Sequence, residues 1–140
     1  MVDLNSLANL PDYFLFFGAG LLVWGVGLFL YELVTPIKEF HEIRNGNVAV
    51  AINLLAVAVA MALPIQSIGH STFNPADMLL WGGIGIVCQV VLHLIIRTFW
   101  KTTYGRLVAR GDEKPCIASA LLLSGFSLVV GLLNAAALSY

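Results

Sequence analysis

The side chains of this chain best suited to chemistry are few, and most stand inside long apolar runs. Asn53, Gln89, His93 and Asn134 are flanked on both sides by Val, Leu, Ile, Ala and Gly. In hydrocarbon a polar group must find a hydrogen-bond partner, since leaving one bare costs about 2 kcal/mol or more. Asn and Gln in such places more often join neighbouring helices than hold a ligand. His93 is a relay candidate because imidazole titrates near neutral pH, although a neutral packed histidine is the commoner outcome. Glu32 and Arg97 lie at the ends of apolar runs. There they can reach headgroups separately or pair with each other as an ion pair.

Other chemistries lack their residues. No HExxH, CxxC, GxSxG or P-loop pattern occurs. His41, His70 and His93 fall at three different levels of the reading below, which suggests no metal cluster. Cys88 and Cys116 also differ in depth by several helical turns, whereas a disulfide needs Cα atoms within about 7 Å. We expect no catalytic residue, no metal, no cofactor and no nucleic-acid partner.

The elements that position these residues follow from composition. Hydrophobic residues make up 59% and charged residues 11% of 140. That is too little charge to cover a soluble domain, in which roughly a quarter of residues are charged. Four apolar stretches, 13–34, 48–63 (extending to 68), 77–96 and 116–138, each approach the ~20 residues that cross a bilayer core. The expected fold is an all-α membrane protein: one domain over 1–140 with four transmembrane helices.

All seven basic residues (Lys38, Arg44, Arg97, Lys101, Arg106, Arg110 and Lys114) fall at or in the connections after the first and third stretches. The positive-inside rule then predicts both termini outside and these two connections in the cytoplasm. Asp3 and Asp12 precede the first stretch with no Lys or Arg, the reverse of a signal-peptide n-region.

Local punctuation agrees. Asn74-Pro75-Ala76-Asp77 has the form of a capped helix start, and Asn9-Leu10-Pro11-Asp12 repeats it. Arg44-Asn45-Gly46-Asn47 supplies a glycine stop and a new Asn cap, and Arg110-Gly111-Asp112 is expected to do the same. Thr35-Pro36 should end or kink the first span and leave a short amphipathic helix over 37–44. These features share a register, because a shift of 65 residues aligns Asn9 with Asn74, Gly18 with Gly83, Gly20 with Gly85 and Gly46 with Gly111. The expectation is two tandem helical hairpins in parallel orientation, about 9–68 and about 74–140.

In lipid, buried helix faces are marked by small and polar residues. Gly82, Gly85, Gln89, His93 and Arg97 fall within an arc of about 120° on the third span at ~100° per residue. Ala120, Ser124, Ser127, Gly131, Asn134 and Ala135 form a stripe on the fourth, and Ala49, Asn53, Ala56, Ala60 and Pro64 one on the second. The first span differs. Gly18 and Gly25 share one face while Gly20 and Gly27 share nearly the opposite one, so the helix is expected to pack on two sides, either between helices or against a second copy.

The run Thr35-Pro36, Glu39, Glu42-Ile43-Arg44-Asn45-Gly46-Asn47-Val48-Ala49-Val50-Ala51-Ile52 resembles the central signature of the YjfL-like inner-membrane proteins, a bacterial family of unknown function. Asp77, Trp81-Gly82, Gln89 and Arg97, with Gly131 to Ala136, resemble its third- and fourth-span patterns. The second turn departs from the signature, reading Gly111-Asp112-Glu113-Lys114-Pro115. The resemblance marks Glu42, Gly46 and Asn47 as a signature turn. It implies a small multi-pass protein of the bacterial inner membrane, in the setting of membrane-stress and polyamine-related genes. Two functions fit. One is a non-enzymatic component of envelope maintenance, acting through lipid or a cytoplasmic stress partner. The other is a small homo-oligomeric transporter or channel lined by Asn53, Gln89, His93 and Asn134.

Overall fold

The backbone amides of a chain surrounded by hydrocarbon must be satisfied within each segment, so long apolar runs become helices. A computed structural model describes residues 4–71 and 74–139. Within it lie six α-helices: α1 Leu10–Val34, α2 Glu39–Arg44, α3 Val48–Ser71, α4 Pro75–Phe99, α5 Lys101–Gly105 and α6 Ile117–Leu138. A 3-10 segment, Leu4–Asn9, precedes α1. Four of the helices are long and apolar enough to cross a membrane.

The helix ends follow local chemistry in most places. Thr35 is extended ahead of Pro36 and closes α1 with a bond from its N–H to the Tyr31 carbonyl, 3.0 Å. Gly46 at φ 84° turns the chain after α2, a conformation that glycine adopts without steric penalty. Asn47 then accepts from the Val50 N–H at 3.2 Å and starts α3. Asn74 caps α4 in the same way, accepting from Ala76 N–H at 3.0 Å.

Two local expectations change, and one proline is accommodated. Asn9 makes no side-chain cap bond, because it is already the last residue of the 3-10 segment. Asp112 does not start the last span. Gly111 at φ 59° sits in a tight turn closed by Arg110 and Glu113, and α6 begins at Ile117, beyond Pro115, with Cys116 at its N-cap. Pro64 neither ends nor interrupts α3, which continues to Ser71. A proline there has no N–H for the Ala60 carbonyl. Gly131 of α6 packs so closely that a Cβ on it would lie 2.6 Å from that oxygen. Its Cα hydrogen is thus set against the carbonyl that Pro64 leaves without a donor.

The most extensive helix contact is α3 with α6, followed by α1 with α4; neighbours along the chain, α1 with α3 and α4 with α6, touch less. Helix α3 is the central element. Ala49, Asn53, Ala56, Ala60 and Pro64 are all buried along it, and α6 buries Ala120, Ser124, Ser127 and Gly131. On α4, Gly82, Gly85 and Gln89 are buried as their spacing predicts. Helix α1 is the loosest. A Cβ on Gly27 would meet Ile86 at 2.7 Å and one on Gly20 would meet Ile65 at 3.5 Å, whereas Gly18 and Gly25 have nothing within 4 Å. At the end where the basic residues collect, Tyr104 and Leu107 are buried against Ala49, Val50, Ala120 and Leu123.

Candidate functional site

The polar side chains inside the bundle are joined to one another and to backbone. His93 is anchored within α4 by Nδ1 against the Gln89 carbonyl oxygen, 2.8 Å, and its Nε2 stands 2.7 Å from Ser127 Oγ on α6. A carbonyl only accepts, so Nδ1 carries the hydrogen. The single hydroxyl proton of Ser127 then has two acceptors, His93 Nε2 and the Leu123 carbonyl oxygen at 3.0 Å. It can satisfy both bonds only when Nε2 is protonated as well. The His93–Ser127 pair is therefore a place where one proton changes the direction of a hydrogen bond.

Gln89 is fully buried and its Nε2 donates to the Ser127 carbonyl at 3.3 Å. Asn53 Nδ2 donates to the Tyr31 hydroxyl at 3.4 Å, a long bond, and the Tyr31 ring meets His93 edge-on at a centroid separation of 5.5 Å. Asn134 lies apart from this group, toward the other end of the bundle, and donates to the Gly85 carbonyl at 2.9 Å. Thus Asn53, Gln89 and His93 form one connected cluster with Ser127 and Tyr31, while Asn134 fastens α6 to α4 alone. A cavity of about 20 Å³ lies beside the cluster, lined by Tyr31, Asn53, His93, Arg97, Tyr104 and Ser127 among others. That is space for one water molecule, with enough polar partners to hold it.

Arg97 stands at the outer wall of this cavity. Its Nη1 donates to the Val34 carbonyl oxygen at 3.1 Å, and its guanidinium carbon sits 5.6 Å from the centre of the Tyr104 ring. Of the two arrangements open to Glu32 and Arg97, the ion pair is not formed: Arg97 is turned to the α1 C-terminus and to α5.

Glu39, Tyr31 and Tyr104 are the residues that sequence reasoning passed over. Glu39 opens α2 and is 1% exposed, with neither carboxylate oxygen in hydrogen-bonding geometry to a partner; the Tyr104 hydroxyl is likewise buried and unpartnered. Burial pushes the Glu39 carboxyl up to about 8, against the Tyr31 hydroxyl, which favours the charged form, and with a further push from Glu32. Glu39 is thus mostly protonated at neutral pH. Burial, and then the nearness of Glu39, also raise Tyr104 above the ordinary phenol value. The one available signal for Glu39 was its place in the signature run, one turn after Thr35-Pro36.

Glu42, Gly46 and Asn47 come together in the turn before α3. Asn47 Nδ2 donates to Glu42 Oε2 at 3.1 Å and to the Leu107 carbonyl at 2.8 Å. One side chain therefore caps α3, holds the end of α2 and ties both to the segment after α5. On the outer side of these elements lies an open groove of about 650 Å³ between α2, the last turns of α4, and α5. Leu94, Arg97 and Tyr104 line both groove and inner cavity and form the partition between them.

This connected signature turn, with the spans on either side of it, is matched along the whole chain. Residues 5–138 match the Domain of Unknown Function DUF350. The chain belongs to this family. It is 24% identical over 137 residues to the UPF0719 inner membrane protein YjfL of Escherichia coli K12, covering 98% of each chain, and equally to that of Escherichia coli O157:H7. No solved structure matches. With its four membrane-capable helices, this member of the family is a multi-pass inner-membrane protein. Among the described residues no group of His, Cys, Asp and Glu could hold a metal ion, and Cys88 and Cys116 are free.

Proposed function

We propose that this chain is a non-enzymatic component of envelope maintenance or the membrane-stress response, and that its working surface is the end carrying the basic residues. The observation that carries this reading is the use made of the intramembrane polar groups. Asn53, Gln89 and Asn134 each donate to a neighbouring helix, and His93 meets Ser127 across the interface. Groups used in this way hold the bundle together, and the space beside them is of the size of one water molecule. The open polar feature is the groove at the basic end. By the positive-inside rule that end is cytoplasmic and both termini are periplasmic. Its partners on this reading are membrane lipids and a cytoplasmic stress protein, with no nucleic acid and no cofactor.

The two-hairpin repeat belongs to the same proposal. Helices α1 and α4 begin and end 65 residues apart, and so do the two left-handed glycines, Gly46 and Gly111. A reporter joined after Tyr140, which lies outside the described residues, is expected to report periplasm, and one inserted at Gly111 cytoplasm. The opposite pattern overturns the orientation.

A second reading, a small oligomeric transporter or channel, is favoured by one observation. Gly18 and Gly25 present a face of α1 on which an added methyl group would meet nothing within 4 Å, which suits a homo-oligomeric contact. Solute or ion flux from purified protein in liposomes separates the two. No flux is expected, and flux abolished by His93→Leu would establish the second.

A further inference from the structure

The groove between α2, α4 and α5 has a chemistry that the bundle core does not share. Lys38, Arg97, Lys101 and Arg110 line it, with His41 beside them, and Glu42 is its one acidic side chain. The Glu42 carboxylate is turned to Asn47 Nδ2 at 3.1 Å, within the signature turn. Among the described residues Lys38, Lys101 and Arg110 form no ion pair, while Arg97 is held by the Val34 carbonyl and the Tyr104 ring. Four cations therefore converge on one cavity that supplies them with almost no counter-charge.

The level of the groove matters as much as its charge. Arg97 and Thr98 belong to the last turn of α4, which ends at Phe99, and Lys38 stands four residues beyond the end of α1 at Val34. Both spanning helices stop here, so the groove lies where hydrocarbon gives way to headgroups. Its lining also has an apolar part, with Ile37, Leu94 and Val108. An occupant that matches must combine a phosphate or comparable anion with an attached apolar chain at this depth.

We infer that the groove is a binding site for the headgroup of an anionic phospholipid, its phosphate among Lys38, Arg97, Lys101 and Arg110 and its first acyl carbons against Leu94. Volume agrees, since about 650 Å³ lies within the range of small-ligand sites. Arg97 is preorganised and offers a planar fork of donors, whereas the two lysines add point charges that adjust to the headgroup. The site deepens the reading of the basic end as the working surface and rests on it.

The test is native mass spectrometry of the full chain released from detergent micelles, doped in turn with phosphatidylglycerol and phosphatidylcholine. Selective retention of phosphatidylglycerol is expected. The triple variant Lys38→Gln, Lys101→Gln, Arg110→Gln leaves Arg97 and the core untouched, and should lose about fivefold of that preference for each cation removed. Circular dichroism of the variant should match the parent. Equal retention of the two lipids overturns the site, and so does a triple variant that keeps the preference. Competition with glycerol 3-phosphate or inorganic phosphate separates the sources. The soluble anions should displace the lipid poorly, and displacement at equal concentration would make this a soluble-anion site instead. A parent that retains no lipid, with the triple variant still failing to complement a deletion strain under envelope stress, defeats this inference while the working-surface reading survives.

Discussion

Glu39 and Tyr104 stand 65 positions apart in the chain, one on each of the two short helices at the basic end, and both are buried with bare side-chain oxygens. Burial of two such groups side by side is tolerable because each is held in its uncharged form. Charge on Glu39 raises Tyr104 further, so ionising the carboxyl disturbs both. The basic end is therefore sensitive to the proton on Glu39.

Stability should fall as pH rises through this window. The carboxyl titrates near 4.5 when exposed and near 8 when folded, so between these values the native state binds more protons than the unfolded chain. Below the window the burial is free of charge; above it the full penalty applies. The slope is at most about 1.4 kcal/mol per pH unit. Thermal unfolding in detergent from pH 5 to 8.5 should show it, and Glu39→Gln should flatten the curve and raise Tm at the alkaline end. An unchanged slope in the variant would show that Glu39 is not the titrating group.

Gly131 is where α6 approaches α3 most closely. A Cβ there would lie 2.6 Å from the Ala60 carbonyl oxygen and 2.7 Å from its Cα, and backbone cannot move aside as a side chain can. Gly131→Ala should cost about 1–3 kcal/mol, the usual effect of overpacking. Gly125, on the same helix, has nothing within 4 Å, so Gly125→Ala is the control and should be close to neutral. Equal effects of the two changes in an unfolding assay would remove the close crossing from the account.

The two faces of α1 should separate in the same kind of experiment. Gly27 is buried against Ile86, so Gly27→Leu should lower Tm, and Gly20→Leu should do so more mildly, because Ile65 stands at 3.5 Å. Gly25 is exposed in the single chain. Gly25→Leu should leave Tm unchanged and alter only the size of the particle on native gels. A loss of Tm from Gly25→Leu without any change of size would rule out that face as a contact between copies.

The spans, their buried stripes and the turn at Gly46 were legible because each rests on local rules: small residues at helical spacing, Thr35 before Pro36, glycine followed by Asn47. The burial of Glu39 was not. A six-residue helix with two acids and an arginine reads as a solvated surface element. It is buried because Tyr31 of α1 and Tyr104 of α5, both distant in sequence, stand against it. Asp112 failed as a cap for a local reason that the register obscured: Pro115 intervenes, and the residues before it make a turn of their own. The close approach of Gly131 to the Ala60 carbonyl is another contact distant in sequence.

Arg97 shows that a place at the end of an apolar run does not choose a partner. Glu32 was one candidate, but the guanidinium reaches the Val34 carbonyl at 3.1 Å and lies over Tyr104. The C-terminal carbonyls of α1 lack donors within their own helix and carry the negative end of its dipole, so a cation is well placed there. A double-mutant cycle between Glu32→Gln and Arg97→Gln should accordingly be additive within about 0.3–0.5 kcal/mol, as expected for groups that share no contact. The cycle between Arg97→Gln and Tyr104→Leu should instead show coupling of about 0.5–1 kcal/mol, the usual size for a cation over an aromatic face at a partly exposed site. Unfolding in detergent at one fixed pH, below the Glu39 transition, keeps the carboxyl neutral throughout both cycles. Coupling in the first cycle and additivity in the second would place Arg97 against Glu32 and reassign one wall of the groove.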